Sequence, residues 1–149
     1  MDCVWIVVAD AARARILATE GRPGKVLQEL EVLVHGESRQ HDQDLTSDRP
    51  GRGWANASGD ARHAMNPPTD PAVHERERFA QALAERLRTG RNAGQYDHLC
   101  IVAAPAFLGV LREQLDPAVS QVVTAEVAKN VTREEDLARL RAHLPDFLY

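Results

Sequence analysis

The chain has 149 residues, of which 44% are apolar and 27% charged. That is the composition of one soluble domain able to bury about 70% of the surface its unfolded form exposes, and it excludes disordered, fibrous and membrane-spanning classes. The net charge of −4 divides into twelve acids against eight bases over residues 1–75 and ten of each over 76–149, so neither half carries the clustered Lys and Arg on which non-specific phosphate binding rests.

Val4 to Ala9 is a continuous apolar run, the pattern of a central strand buried on both faces. Its start has Asp2 where a secretory signal would carry basic residues, which points to a cytoplasmic protein. Asp10-Ala11-Ala12 reads as a turn. Arg13 to Thr19 alternates with Ala14, Ile16 and Ala18 on one face, and Gly21-Arg22-Pro23-Gly24 is a second turn. Val26 to Val34 alternates through Leu30, Val32 and Val34, completing an antiparallel meander. After a long polar insert, Asp70 as N-cap and Pro71 at the first helical position open a helix. Its stripe is Phe79, Ala80, Leu83, Ala84 and Leu87, with a stop at Gly90. Leu99 to Ala104 is a buried strand, and Pro105 opens a helix that faces inward through Phe107, Leu108, Leu111 and Leu115 until Asp116-Pro117. Val122 to Val127 is a fifth strand. Thr132 with Glu135 forms a capping box for a last helix through Leu137, Leu140 and Leu144, ending at Pro145. Cys3 and Cys100 lie in apolar strand-like runs and read as reduced core thiols.

The order βββαβαβα predicts an α/β domain spanning residues 1–149 around a five-stranded mixed sheet. Right-handed crossovers at the C-terminal end point strands one, three, four and five at one edge. Asp10 to Arg13, the insert over residues 35–71, Pro105, and Lys129 to Thr132 gather there, at the edge where open α/β sheets bind ligands.

The insert holds 37 residues, ten of them charged and three of them His. Structureless loops of that length in compact domains are either functional or disordered. Pro50-Gly51 suits a tight turn that sets Arg49 beside Arg52, a fork for phosphate or carboxylate; the competing reading pairs Asp48 with Arg52 as a brace. Arg62-His63 would close such a pocket from the other side. His35, His41, Asp42, Asp44 and His63 match no metal-ligand frame, and no metal is predicted. Asp10 stands where a metal-dependent nuclease would place a carboxylate, with Asp97 and Glu126 as strand-associated candidates that do not obviously converge on it; a turn cap is the plainer reading. There is no Gly-x-Ser-x-Gly and no phosphate-cradling glycine loop, and no cofactor is predicted.

Several segments together resemble the bacterial host-attachment family over nearly the whole chain. They are Val8-Ala9-Asp10 with Ala14-Arg15-Ile16-Leu17; Asp44-Leu45-Thr46-Ser47-Asp48-Arg49-Pro50-Gly51-Arg52; Arg62-His63-Ala64; Phe79-Ala80; Ala103-Ala104-Pro105 with Phe107-Leu108-Gly109-Val110-Leu111-Arg112; and Lys129-Asn130-Val131-Thr132. The resemblance implies a role in attachment to host cells and a distant similarity to the middle domain of archaeo-eukaryotic peptide release factors, which has a ribonuclease-H-like βββαβαβα arrangement. Release factors carry a Gly-Gly-Gln loop between the third strand and the first helix, where the insert lies here. This chain has no Gly-Gly-Gln, and its Gly94-Gln95 follows the first helix and reads as the turn into the fourth strand. Peptide-release chemistry is therefore not carried over. The expected function is a non-enzymatic binding protein that engages an anionic partner, ribosome or RNA, through Asp10, Arg13, Asp48, Arg49, Arg52, Arg62 and His63. A metal-dependent nuclease or hydrolase is the alternative. A scaffold working by protein contact also stays open, with Pro145 to Tyr149 docked on its own core or on a second subunit.

Overall fold

The computed structural model describes residues 2–35 and 71–149. Strands β1 (Cys3–Ala9), β2 (Arg13–Glu20) and β3 (Gln28–Val34) are followed by α1 (Pro71–Asn92), β4 (His98–Ala103), α2 (Pro105–Gln114), α3 (Pro117–Ser120), β5 (Val123–Val127) and α4 (Leu137–Ala142). They build one five-stranded mixed sheet in the order β3-β2-β1-β4-β5. The hairpin partners β1–β2 and β2–β3 are antiparallel, whereas β4 lies parallel to β1 and β5 parallel to β4. As the sequence predicts, β1, β3, β4 and β5 point their C-terminal ends at one edge.

The apolar run of β1 makes it the middle strand, and alternation along the strands divides the core in two. Trp5, Val7, Ala14, Ile16, Leu99 and Ile101 face α1, α2 and α3, meeting Phe79, Leu83, Leu87, Phe107 and Leu111. Val4, Ile6, Val8, Leu17, Cys100 and Val102 face the other way, against Leu140, Leu144 and Leu148 of α4 and the tail. Cys3 and Cys100 are free thiols, and burial pushes the pKa of both up, so neither is poised as a nucleophile. Tail residue Leu148 is buried in the protein's own core; its amide donates to Arg22 O at 2.8 Å and its carbonyl accepts from Thr124 Oγ1 at 2.5 Å. Among the described residues no helix is long and apolar enough to cross a membrane.

Five details differ from expectation. In β3, Leu33 packs on the core while Leu30 and Val32 are 47% and 52% exposed. Leu33 pairs with Ala14, which faces the same cluster, and Val32 pairs with Arg15 on the other face; the register shifts further along, between Ile16 and Leu17 of β2. Glu31, opposite Ile16, instead reaches Arg86 of α1 at 3.1 Å. Helix α1 runs through Gly90 to Asn92 and turns out at Gly94, whose φ of 70° suits a residue without Cβ; Gln95 then leads into β4, as read from the sequence. The short α3 is an addition, capped by Asp116 Oδ1, which accepts from Ala118 N. The Thr132–Glu135 capping box does not form. Asp136 caps α4 by accepting from Ala138 N and Arg139 N, and Thr132 is recruited to the sheet edge instead. The helix stops at Ala142, so Leu144 reaches the core from beyond it. The Asp70 cap and the interior of the insert lie outside the described residues.

Candidate functional site

At the C-terminal end of β1, the Asp10 carboxylate is saturated by its surroundings. Oδ1 accepts from the amides of Ala12 at 2.8 Å and Arg13 at 2.9 Å, and Oδ2 accepts from the Thr132 hydroxyl at 2.8 Å. The first two bonds close the β1–β2 turn, a local use of Asp that explains why the chain reverses there. The third ties that turn to the loop between β5 and α4. Half-burial pushes the Asp10 carboxyl up, but the bonds from Thr132, Ala12, Arg13 and Asn130 outweigh it and hold the pKa below the ordinary carboxylate value.

Arg15, two residues into β2, completes the clamp. It is 8% exposed, its Nε lies 2.5 Å from Glu29 Oε1 of β3, and its Nη1 donates to the carbonyls of Thr132 at 3.2 Å and Glu134 at 2.6 Å. A guanidinium has the donors to satisfy a carboxylate and two carbonyls at once. The result is a loop pinned from two sides, with Thr132 itself buried.

Beside this clamp runs an open groove of about 420 Å³, lined by Arg13, Arg15, Glu29, Val32, Thr132, Arg133 and Glu135. Arg15 is consumed by its partners. Among the described residues the side chains of Arg13 and Arg133 form no ion pair. Three guanidiniums thus face two carboxylates in a chain of net charge −4.

The structure brings Asp10 and Arg13 together as the sequence predicts, and adds Arg15, Thr132 and Arg133. Asp97 and Glu126 do not join them. Asp97 Oδ2 accepts from Cys3 N at the opposite end of β1, and Glu126 is paired with Arg112 at 2.5 Å. His35 is turned toward α1, with Nε2 3.1 Å from Glu75 Oε2. Among the described residues no three His, Cys, Asp or Glu side chains gather closely enough to hold a metal ion. Asp48, Arg49, Arg52, Arg62 and His63, with the metal candidates His41, Asp42 and Asp44, lie outside the described residues.

Residues 5–144 match the family described as "Protein required for attachment to host cells". The chain belongs to this family. A further relative is the uncharacterized protein RP470 of Rickettsia prowazekii (strain Madrid E), 26% identical over 135 residues, which make up 89% of this chain and 81% of that protein. Among solved structures, the archaeal translation termination factor aRF1 aligns with 97% of this chain at 10% identity and a TM-score of 0.48, and another archaeal protein with 94% at 11% and 0.47. This host-attachment family chain spans 35% and 32% of those two chains, about a third of each.

The Asp10 bonds carry a pH signature. Because the folded pKa is lowered, the stability they contribute is fully present above the unfolded carboxylate value of about 3.9 and is lost as pH falls through the folded value. Urea unfolding followed through that acid window should show a shallower pH dependence for Asp10→Asn than for the wild type. Identical slopes would mean that the carboxylate contributes nothing to the clamp.

Proposed function

We propose that this member of the host-attachment family is a non-enzymatic, cytosolic binding protein whose ligand-edge groove engages an anionic polymer, with RNA of the ribosome as the partner to test. One observation carries this reading: Arg13 and Arg133, neither in an ion pair among the described residues, line one open groove whose walls are fixed by the Asp10–Thr132 and Arg15–Glu134 bonds. Guanidiniums held on a prepaid scaffold lose little entropy on meeting a phosphate. Arg49, Arg52, Arg62 and His63 of the insert lie outside the described residues and belong to the same proposal on their side-chain chemistry alone. A protein in the cytosol acts on attachment indirectly.

Asp10 supports the binding reading over the nuclease. Its oxygens accept three hydrogen bonds from the protein itself, the geometry of a loop cap, and no catalytic step is assigned to it.

Short single-stranded RNA titrated against the wild type and the Arg13→Ala/Arg133→Ala variant tests the proposal. The variant should bind more weakly, and the slope of log K against log salt should fall by about 1.4, the share of two phosphate contacts on a single strand. Thermal unfolding should be unchanged, since neither side chain is paired. Equal affinity and slope in the two proteins would refute the assignment.

A further inference from the structure

A second concavity opens on the opposite face of the sheet, around the start of α1. Ala11, His35, Pro71, Ala72, Glu75 and Arg76 line a space of about 580 Å³, a volume in the range of small-molecule sites. Its walls are mainly methyl and methylene groups, and its polar groups are few and unevenly used.

His35 is held firmly. Its amide is bonded to Ala12, its ring stacks on Phe79 at 5.5 Å with 26° between planes, and its side chain is 13% exposed. Nε2 lies 3.1 Å from Glu75 Oε2 yet makes no hydrogen bond. Arg76 Nε is likewise buried without a hydrogen-bond partner, and its guanidinium forms no ion pair among the described residues. Glu75 is also served by Arg78 Nη1 at 3.8 Å, which leaves Arg76 as the uncompensated charge beside the cavity. Two buried nitrogens, His35 Nε2 and Arg76 Nε, without a hydrogen-bond partner among the described residues lie on the rim of one apolar space, and an acceptor placed there would satisfy them.

We propose that this cavity binds a small molecule with an apolar body and a single oxyanion head. The head accepts from Arg76 Nε and His35 Nε2, and the body lies on Ala11, Pro71 and Ala72. The site is independent of the RNA-binding proposal, because it shares no lining residue with the groove.

Titrating benzoate, phenyl phosphate and benzamide into the full chain, followed by amide and methyl NMR, tests this. At least one of the two anions should give saturable shifts at Ala11, His35 and Ala72, and the tighter one names the head group as carboxylate or phosphate. Neutral benzamide should bind at least about ten-fold more weakly, the loss expected when a charge-assisted bond becomes a neutral one. Arg76→Gln should weaken the anion by a similar factor. Arg91→Gln, which removes a second buried and unpartnered Nε near the far end of α1, should leave binding unchanged, as should Arg13→Ala/Arg133→Ala. Benzamide binding as well as benzoate, neither anion giving a saturable shift, or wild-type affinity in Arg76→Gln would each overturn the proposal.

Discussion

Arg15→Met should destabilise the protein by about 3 kcal/mol and release the β5–α4 loop. The substitution keeps an apolar stem in a site that is 8% exposed and removes only the guanidinium. Three groups then lose their donor: Glu29 Oε1, Thr132 O and Glu134 O. Bonds from a charged donor contribute roughly 1.5–3 kcal/mol, and a buried acceptor left unsatisfied costs about 1–3 kcal/mol. The estimate counts mainly the Thr132 and Glu134 carbonyls, because Glu29 has a side chain 37% exposed and regains water. Urea unfolding should show a lower midpoint with an unchanged m-value. Amide exchange over residues 129–136 should rise at the same time, because the loop keeps its Asp10 contact but loses its second anchor. A change within about 0.5 kcal/mol would mean that Arg15 fills space and does not clamp.

Gly90→Ala should destabilise by about 2 kcal/mol, although helix propensity alone favours Ala over Gly by roughly 1 kcal/mol in a helix interior. Gly90 lies in α1 with a Cβ position only 2.8 Å from Trp5 Cη2 and 2.9 Å from Cζ3. The indole has little freedom to retreat: it stacks on Tyr96 at 4.6 Å, and the Arg86 guanidinium lies 5.1 Å from its centroid. Tyr96 is fixed in turn by its hydroxyl, which donates to Leu87 O at 2.7 Å. Overpacking against a braced ring therefore outweighs the propensity gain. Equilibrium unfolding decides the sign; a stabilised Gly90→Ala protein would show that the ring gives way.

What the sequence reveals follows from where each signal is local. Val4 to Ala9 and Leu99 to Ala103 announce central strands because burial on both faces leaves no polar position. Pro105 and the stripe of Phe107, Leu108 and Leu111 announce α2 in the same way. Strand direction in turn puts Asp10 and Arg13 at the shared edge. The clamp did not. Thr132 followed three residues later by Glu135 satisfies a capping pattern, but its hydroxyl is claimed by Asp10, 122 residues away. Local spacing holds no trace of that competition. Arg15 carried no local signal of burial: the alternation of Ala14, Ile16 and Ala18 puts it on the other face, and its partners, 117 and 119 residues on, come only with the fold. The exposure of Val32 had no local warning either, because Val32 and Leu33 are adjacent apolar residues that fit either face, and only the pairing of Leu33 with Ala14 and Val32 with Arg15 decides between them.

A titration of the wild-type protein with short single-stranded RNA in low-salt buffer, with backbone amides followed by NMR, most directly tests the groove as the binding surface. The amides of Asp10 to Arg13 and of Lys129 to Asp136 should shift together along one saturable curve, and the shifts should retreat when salt is added. Saturable shifts that leave both of these loops unmoved, or no saturable shift anywhere, would contradict it.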